Sequence, residues 1–290
     1  MRNIHKKSII SLALLFVCTF VHAGADICVN FDGTDAATTA TDCSVNAYEF
    51  TFNGNAQLDT DNPKFGTAGL LLDGSGDDVR TTTNYTQQMT TNWTISVWLD
   101  SDTSSGDHAW LTHFESASPL TAWYFRTEGT KVINFVGWSA GAAPININTA
   151  TNTLAPSAYH HVVLAKVGTD WGIYYDGVQK AYASDSDTVS ITGTLRIGGR
   201  NGDQYFDGHI DDPFIISTNY FTAAPNSGKT DTITVPTVAY SEAVAGSRRS
   251  SILSRMIKDG DGYRKVVTYQ NFTAKRYKNE NSGHYIVSNS

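Results

Sequence analysis

From residue 27 to residue 217 the chain is punctuated throughout by turn residues, and this limits its fold more than any other feature. Short apolar or alternating runs are separated by Gly, Asp, Asn, Ser and Thr, and apolar residues never recur there at helical spacing. Segments so short and so regularly broken bury themselves by stacking sheets, not by packing helices. Ile95, Val97 and Leu99 alternate with Thr94, Ser96 and Trp98, which predicts a strand with one aliphatic face. The run 161–167 reads as a strand covered on both faces. Two further runs, 171–175 and 178–183, flank Asp176-Gly177, a strong hairpin signal. More strands are expected at 48–52, 69–72, 109–114, 122–126, 131–137, 195–197 and 210–216, the last interrupted by Pro213. Strands of this length and spacing predict an antiparallel sandwich or jelly roll, not a parallel sheet.

The first 23 residues are not expected to join the fold. Arg2, Lys6 and Lys7 precede an apolar run over 9–21, shorter than the roughly 20 residues a membrane-spanning helix needs. Val21-His22-Ala23 then predicts signal-peptide cleavage after Ala23, with an uncleaved anchor as the alternative. No other stretch is long and apolar enough to cross a bilayer as a helix. Export places the two remaining cysteines, Cys28 and Cys43, in an oxidising compartment, where pairing is expected. Closing that loop contributes about 3 kcal/mol in the chain-entropy view. Two free thiols are the competing reading.

Charge is unevenly spread. Residues 24–239 hold nine Lys and Arg against 24 Asp and Glu, whereas 240–290 hold nine against four. An acidic body argues against nucleic acid as a partner and suits bound cations. A basic tail suits contact with an anionic envelope or self-association with other copies of the chain. The expected organisation is a main domain over 24–223, a linker or edge strand over 224–240, and a basic extension over 241–290. Within that extension 242–258 reads as a helix, with Ile252, Leu253, Met256 and Ile257 on one side. Asp259-Gly260-Asp261-Gly262 stops it, 263–277 reads as a strand, and 284–288 pairs back after a turn at 279–283. The expected fold class is therefore all-β: a two-sheet antiparallel jelly-roll sandwich with a small C-terminal α+β appendage.

Four stretches in order resemble the laminin G-like branch of the concanavalin A-like lectin/glucanase superfamily. They are Lys64-Phe65-Gly66-Thr67-Ala68-Gly69-Leu70-Leu71-Leu72-Asp73-Gly74-Ser75-Gly76-Asp77-Asp78-Val79 and Trp93-Thr94-Ile95-Ser96-Val97-Trp98-Leu99. The third runs from Tyr159-His160-His161-Val162 to Ile173-Tyr174-Tyr175-Asp176-Gly177-Val178, with Tyr159 where the family usually has Trp. The fourth is Leu195-Arg196-Ile197-Gly198-Gly199-Arg200 followed by Phe206-Asp207-Gly208-His209-Ile210-Asp211-Asp212. Pro213 departs from the family's apolar residue. It cannot donate to a sheet ladder, so an edge or a bulge is expected there.

The resemblance implies a calcium site formed by Asp32 near the first strand and by Asp211 and Asp212 in the late Gly-x-Ile-Asp turn. Calcium takes six to eight oxygen ligands; the alternative is that these residues simply occupy turns, which Asp favours. Sugars stack on aromatic rings, and their hydroxyls need amide, carboxyl or guanidinium partners. Trp110, Trp123, Trp138 and Tyr205, beside Arg126, Asn134 and Asn201, are therefore candidate ligand-binding residues, against a competing core-packing role. Trp93 and Trp98 are assigned to the core or its rim. Catalysis is not expected. The superfamily's glucanases carry a Glu-x-Asp-x(-x)-Glu strand to place two carboxylates, and none of Glu49, Glu115, Glu128, Glu242 and Glu280 begins one. His160-His161 is followed by no zinc-binding pattern. The expected function is a non-catalytic secreted or surface module binding a glycan or matrix ligand, aided by calcium. A structural or adhesive envelope or virion component without a small ligand, and a divergent glycoside hydrolase, are the alternatives.

Overall fold

The structure is a computed structural model. It describes residues 24–240 except Val45, Ser104 and Ala140, together with 253–259, 262–268, 274–278 and 285–289. The expected signal peptide over 1–23 lies outside the described residues, as does 241–252. Among the described residues there is no helix.

Seventeen strands build the main unit. The first eight are β1 (Ile27–Asn30), β2 (Thr41–Asp42), β3 (Phe50–Asn53), β4 (Gln57–Asp59), β5 (Gly69–Asp73), β6 (Asp78–Thr81), β7 (Tyr85–Met89) and β8 (Asn92–Ser101). Then come β9 (His108–Ala117), β10 (Leu120–Glu128), β11 (Val132–Ser139), β12 (Ala142–Asn148) and β13 (His160–Val167). The last four are β14 (Asp170–Tyr175), β15 (Val178–Ser184), β16 (Val189–Ile197) and β17 (Asp207–Ile216). The first sheet runs β15-β14-β13-β8-β17-β1-β2, with β5 also on β17 and β4 on β5. The second runs β12-β11-β10-β9-β16-β6-β3, with β7 also on β16. The two antiparallel sheets pack face to face as a jelly-roll sandwich.

Local chemistry explains the corners. Asp176 and Gly177 both hold positive φ, 48° and 81°, and Tyr175 pairs with Val178 across them. This is the geometry a two-residue hairpin needs, and Asp-Gly tolerates it. Pro213 lies in a β-bulge of β17, where Asp211 faces Trp98 but Phe214 faces Ser96. The extra residue lets an interior strand carry a proline without a ladder N–H.

The core lies between the sheets. Trp110, Trp123, Phe125 and Phe135 enter it from the second sheet, and Ile95, Val97, Leu164 and Trp171 from the first. Phe135 and Trp171 stack across the gap at 5.8 Å. Burying a side chain of this size contributes about 2–3 kcal/mol. The outer face of the first sheet is also covered. Residues 217–240 lie on it, where Tyr220, Phe221 and Tyr240 pack with Phe214 and Ile216, and Ala223 and Ile233 with Val163 and Tyr174. Ser96 Oγ sits 2.8 Å from His161 Nε2 and 3.0 Å from the Tyr240 hydroxyl beneath this strap. Hence Thr94, Ser96 and Trp98, on the non-aliphatic side of β8, are buried as well. Cys28 and Cys43 form the expected disulfide.

The described part of the tail corrects the C-terminal end of the expected helix, whose remainder over 242–252 lies outside the described residues. Leu253–Asp259, all but its last residue placed within the predicted helix, is strand β18, and it pairs with β19 (Gly262–Thr268) from Leu253↔Thr268 to Asp259↔Gly262. Only two residues separate the paired ends in sequence, and strand pairing over so short a connection outweighs the helical spacing of Leu253, Met256 and Ile257. β20 (Ala274–Lys278) pairs with β21 (Tyr285–Asn289), as the pairing back of 284–288 predicted.

One polar seam crosses the core. Gln87 Oε1 accepts the Trp123 indole N–H at 2.7 Å and lies 2.9 Å from His113 Nδ1, while His113 Nε2 lies 3.1 Å from the Gly193 carbonyl. Burial lowers the His113 pKa to about 4. The folded ring therefore stays neutral where an unfolded one, with a pKa near 6.5, is protonated. A depressed folded value gives stability that is full above pH ~6.5 and is lost as pH falls towards 4. In urea denaturation, the stability advantage of the wild type over His113→Gln is expected to shrink by about 2 kcal/mol between pH 7 and 4.5. A difference independent of pH would show that the ring does not remain neutral.

Candidate functional site

Register alone places a continuous set of polar and aromatic side chains on the outer face of the second sheet. Where core residues point inward, their neighbours one step along each strand point outward. Thr51, Arg80, Arg196, Thr112, Tyr124, Val136 and Asn146 stand directly opposite one another in seven successive strands. Beside this row lies a second, Thr194, Phe114, Ala122 and Trp138. Phe114 and Trp138 are half-buried and pack over Ala122, Tyr124 and Val136. On the other flank Arg126 faces Asn134, which faces Asn148. Arg126 Nε donates to Asn134 Oδ1 at 3.0 Å, and Asn134 Nδ2 donates to both Asn146 and Asn148 at 2.8 Å.

The loop after β16 closes one end. Arg196 donates from Nη2 to Asn201 Oδ1 at 2.9 Å. The Arg200 guanidinium sits 5.4 Å from the Tyr124 ring centre and is bound to Asp203. Arg126 bridges to Gln204 at 3.1 Å and to Glu128. Burial raises the Tyr124 pKa against the pull of Arg200, Arg126 and Arg196, so this phenol stays protonated.

The sequence candidates divide. Arg126, Trp138, Asn201 and Tyr205 belong to this face or its loop. Trp110 and Trp123 do not: both are fully buried among Phe125, Phe135 and Trp171. Their rings offer no surface to a ligand, which corrects the binding role expected of them. Arg80, Phe114, Tyr124, Arg196 and Arg200 were not singled out. The available signal was a lone Arg between inward-pointing neighbours, as in Val79-Arg80-Thr81 and Leu195-Arg196-Ile197.

The expected calcium ligands are already engaged. Asp32 Oδ1 accepts the Thr67 amide at 2.5 Å and its hydroxyl at 3.1 Å. Asp211 accepts the amides of Lys64, Phe65 and Asp212, and both Asp212 oxygens lie 3.1 Å from the Tyr240 amide. Burial, aided by the Asp32 charge, raises Asp211 to about 6; burial, aided by the charges of Asp211 and Asp32, raises Asp212 to about 8. Among the described residues no three His, Cys, Asp or Glu side chains gather so as to hold a metal ion. As arranged, Asp211 and Asp212 tie loops to β17, and Asp32 holds the loop at Thr67.

Residues 73–220, about half the chain, match a family model described as the concanavalin A-like lectin/glucanases superfamily. With the sandwich and its sheet order, this settles the class: the chain belongs to that superfamily. No curated protein matches it in sequence. Among solved structures it is similar to the binding domain of botulinum neurotoxin serotype D, at 15% identity and a TM-score of 0.51, over 84% of this chain and 69% of that one. It is also similar to the serotype C1 binding domain, at 14% and 0.50, over 67% and 49%. Domain 4 of AbnA, a GH43 extracellular arabinanase from Geobacillus stearothermophilus, seen with arabinotriose, aligns at 13% and 0.48, over 73% and 95%. At these identities the likenesses show the fold alone.

The division between core and surface rings is directly measurable. Trp123→Ala is expected to cost about 3–5 kcal/mol in urea denaturation, and Trp138→Ala under about 1 kcal/mol. The reverse order would contradict the assigned faces.

Proposed function

We propose that this chain is an exported carbohydrate-binding module without a catalytic role, and that its ligand lies on the outer face of the second sheet. The observation that carries this reading is the composition of that face. Half-buried rings, Phe114 and Trp138, adjoin side-chain amides and guanidinium groups, the pairing that sugar rings and their hydroxyls require. Superfamily membership and the likeness to a toxin binding domain agree with a binding role. The carboxylates of the face speak against hydrolysis. Asp78 is held by Arg80, Glu128 by Arg126 and Asp203 by Arg200. Glycoside cleavage needs two carboxyl groups free to act as acid and as base or nucleophile. Export rests on the signal-like first 23 residues, and the Cys28–Cys43 bond suits an oxidising compartment.

The mature protein is expected to be retained by at least one glycan on an array. Trp138→Ala should weaken that binding at least tenfold in calorimetry with an unchanged Tm. Failure of the wild type to bind any glycan would overturn the reading. Calcium belongs to the proposal only through rearrangement, because Asp211 would have to release the amides of residues 64 and 65. A rise of several degrees in Tm on adding calcium to chelator-treated protein would support it; an unchanged Tm would remove calcium.

Self-association through the tail is part of the same proposal. β18–β19 and β20–β21 are separate two-stranded sheets, and such hairpins are marginal alone in water. Sedimentation should show the mature chain to be oligomeric and a chain ending at Tyr240 monomeric. Equal masses per particle would dismiss the tail's role.

A further inference from the structure

The main unit is strongly acidic, yet it places all its arginines together. Residues 24–239 contain four arginines, Arg80, Arg126, Arg196 and Arg200. Arg80 and Arg196 are directly opposed across β6 and β16. Arg126 and Arg200 lie 5.8 and 5.4 Å from the ring of Tyr124 in the same row. Like charges directly opposed in a sheet destabilise it. Folding therefore works against this arrangement, and a ligand is a reason to keep it.

The local charge does not balance. Asp78, Glu128 and Asp203 are the carboxylates bound to these groups. Asp78 receives both Arg80 contacts, at 2.7 and 2.9 Å, plus the Asn53 amide at 2.7 Å. Arg196 reaches it only at 3.7 Å. Arg196 is also 8% exposed, and its Nε has no hydrogen-bond partner. Thr112, its register partner on β9, likewise has a buried hydroxyl without a partner. Burial lowers the Arg196 pKa, and the Arg80 charge adds to the effect. Arg196 is thus a largely buried cation whose nearest carboxylate is distant and shared, and further negative charge at the exposed edge of this face, beside Arg200 and Arg126, stabilises it.

We infer that this face recognises an acidic sugar, one bearing a carboxylate or sulfate, through the Arg196, Arg200 and Arg126 guanidinium groups around Tyr124. The inference rests on the carbohydrate-binding reading and names the chemical class of that ligand. Arginine suits the task because its planar fork meets two oxygens of an oxyanion at once, which lysine cannot do. The acidic remainder of the unit sharpens the selection. Its field repels polyanions elsewhere, so an acidic glycan gains only where the arginines gather.

The test compares oligosaccharides of matched length by calorimetry: neutral xylo- and cello-oligosaccharides, an oligogalacturonate for the carboxylate, and a heparin-derived oligosaccharide for the sulfate. At least one acidic probe should bind tenfold or more tightly than the neutral ones. Arg196→Gln should bring that ratio to within about twofold. Because a change at a buried position can unfold the protein, Arg200→Gln serves as the surface variant and should reduce the ratio at least threefold with an unchanged Tm. Equal affinity for acidic and neutral probes, or a ratio unmoved by Arg200→Gln and by a folded Arg196→Gln, would overturn the inference. Binding of neutral sugars alone sinks it while leaving the module reading intact. Failure of every glycan to bind removes both.

Discussion

Stacked aromatic rings between the sheets fix nearly everything else in this protein. Trp110, Trp123, Phe125 and Phe135 from one sheet and Trp171 from the other fill the gap, with Phe135 and Trp171 in contact across it. Because side chains alternate along a strand, turning Trp123 and Phe125 inward forces Tyr124 outward. The same parity on β6 and β16 sends Val79, Leu195 and Ile197 in and Arg80 and Arg196 out. The polar face is thus a consequence of the core, and slipping one strand by a residue would exchange ring for guanidinium.

Much of this was legible because a period of two is hard to hide. Ile95-Val97-Leu99, the Asp176-Gly177 hairpin and the bulge at Pro213 all followed from spacing or from a missing donor. The candidate face was less legible for a physical reason. A tryptophan in a strand has two sides to choose from, and sequence gives only its parity relative to neighbours. Around Trp110 and Trp123 those neighbours include Ala109, Leu111, Ala122 and Tyr124, apolar on both sides, so inward and outward looked alike. Arginine carries the clearer signal. A charged residue flanked by inward-facing ones, as at Arg196, can only point away from the core.

Asp32, Asp211 and Asp212 show how one constellation fits two readings. A resemblance assigns them oxygen ligands for an ion. The geometry gives them backbone amides as partners, from the loop near Lys64 and from Tyr240 at the end of the strap. A buried carboxylate needs partners, and several N–H donors serve that need without a metal. The helix expected before Asp259 went astray through a similar ambiguity. Four apolar residues at helical spacing are too few to outweigh a two-residue connection between β-rich segments.

On the proposed carbohydrate-binding role, the strap of residues 217–240 has a consequence for how tightly the molecule would hold a polymer. By occupying the back of the first sheet with Tyr220, Phe221, Ile233 and Tyr240, it leaves, among the described residues of the main unit, only the outer face of the second sheet uncovered by such a strap. A one-sided module grips a single stretch of chain and lets go at the rate that stretch alone dictates. Lasting attachment to a long polysaccharide would then come from avidity. Several copies, spaced so that their free sides meet neighbouring segments, raise the effective concentration at each site and slow escape by orders of magnitude without any new contact.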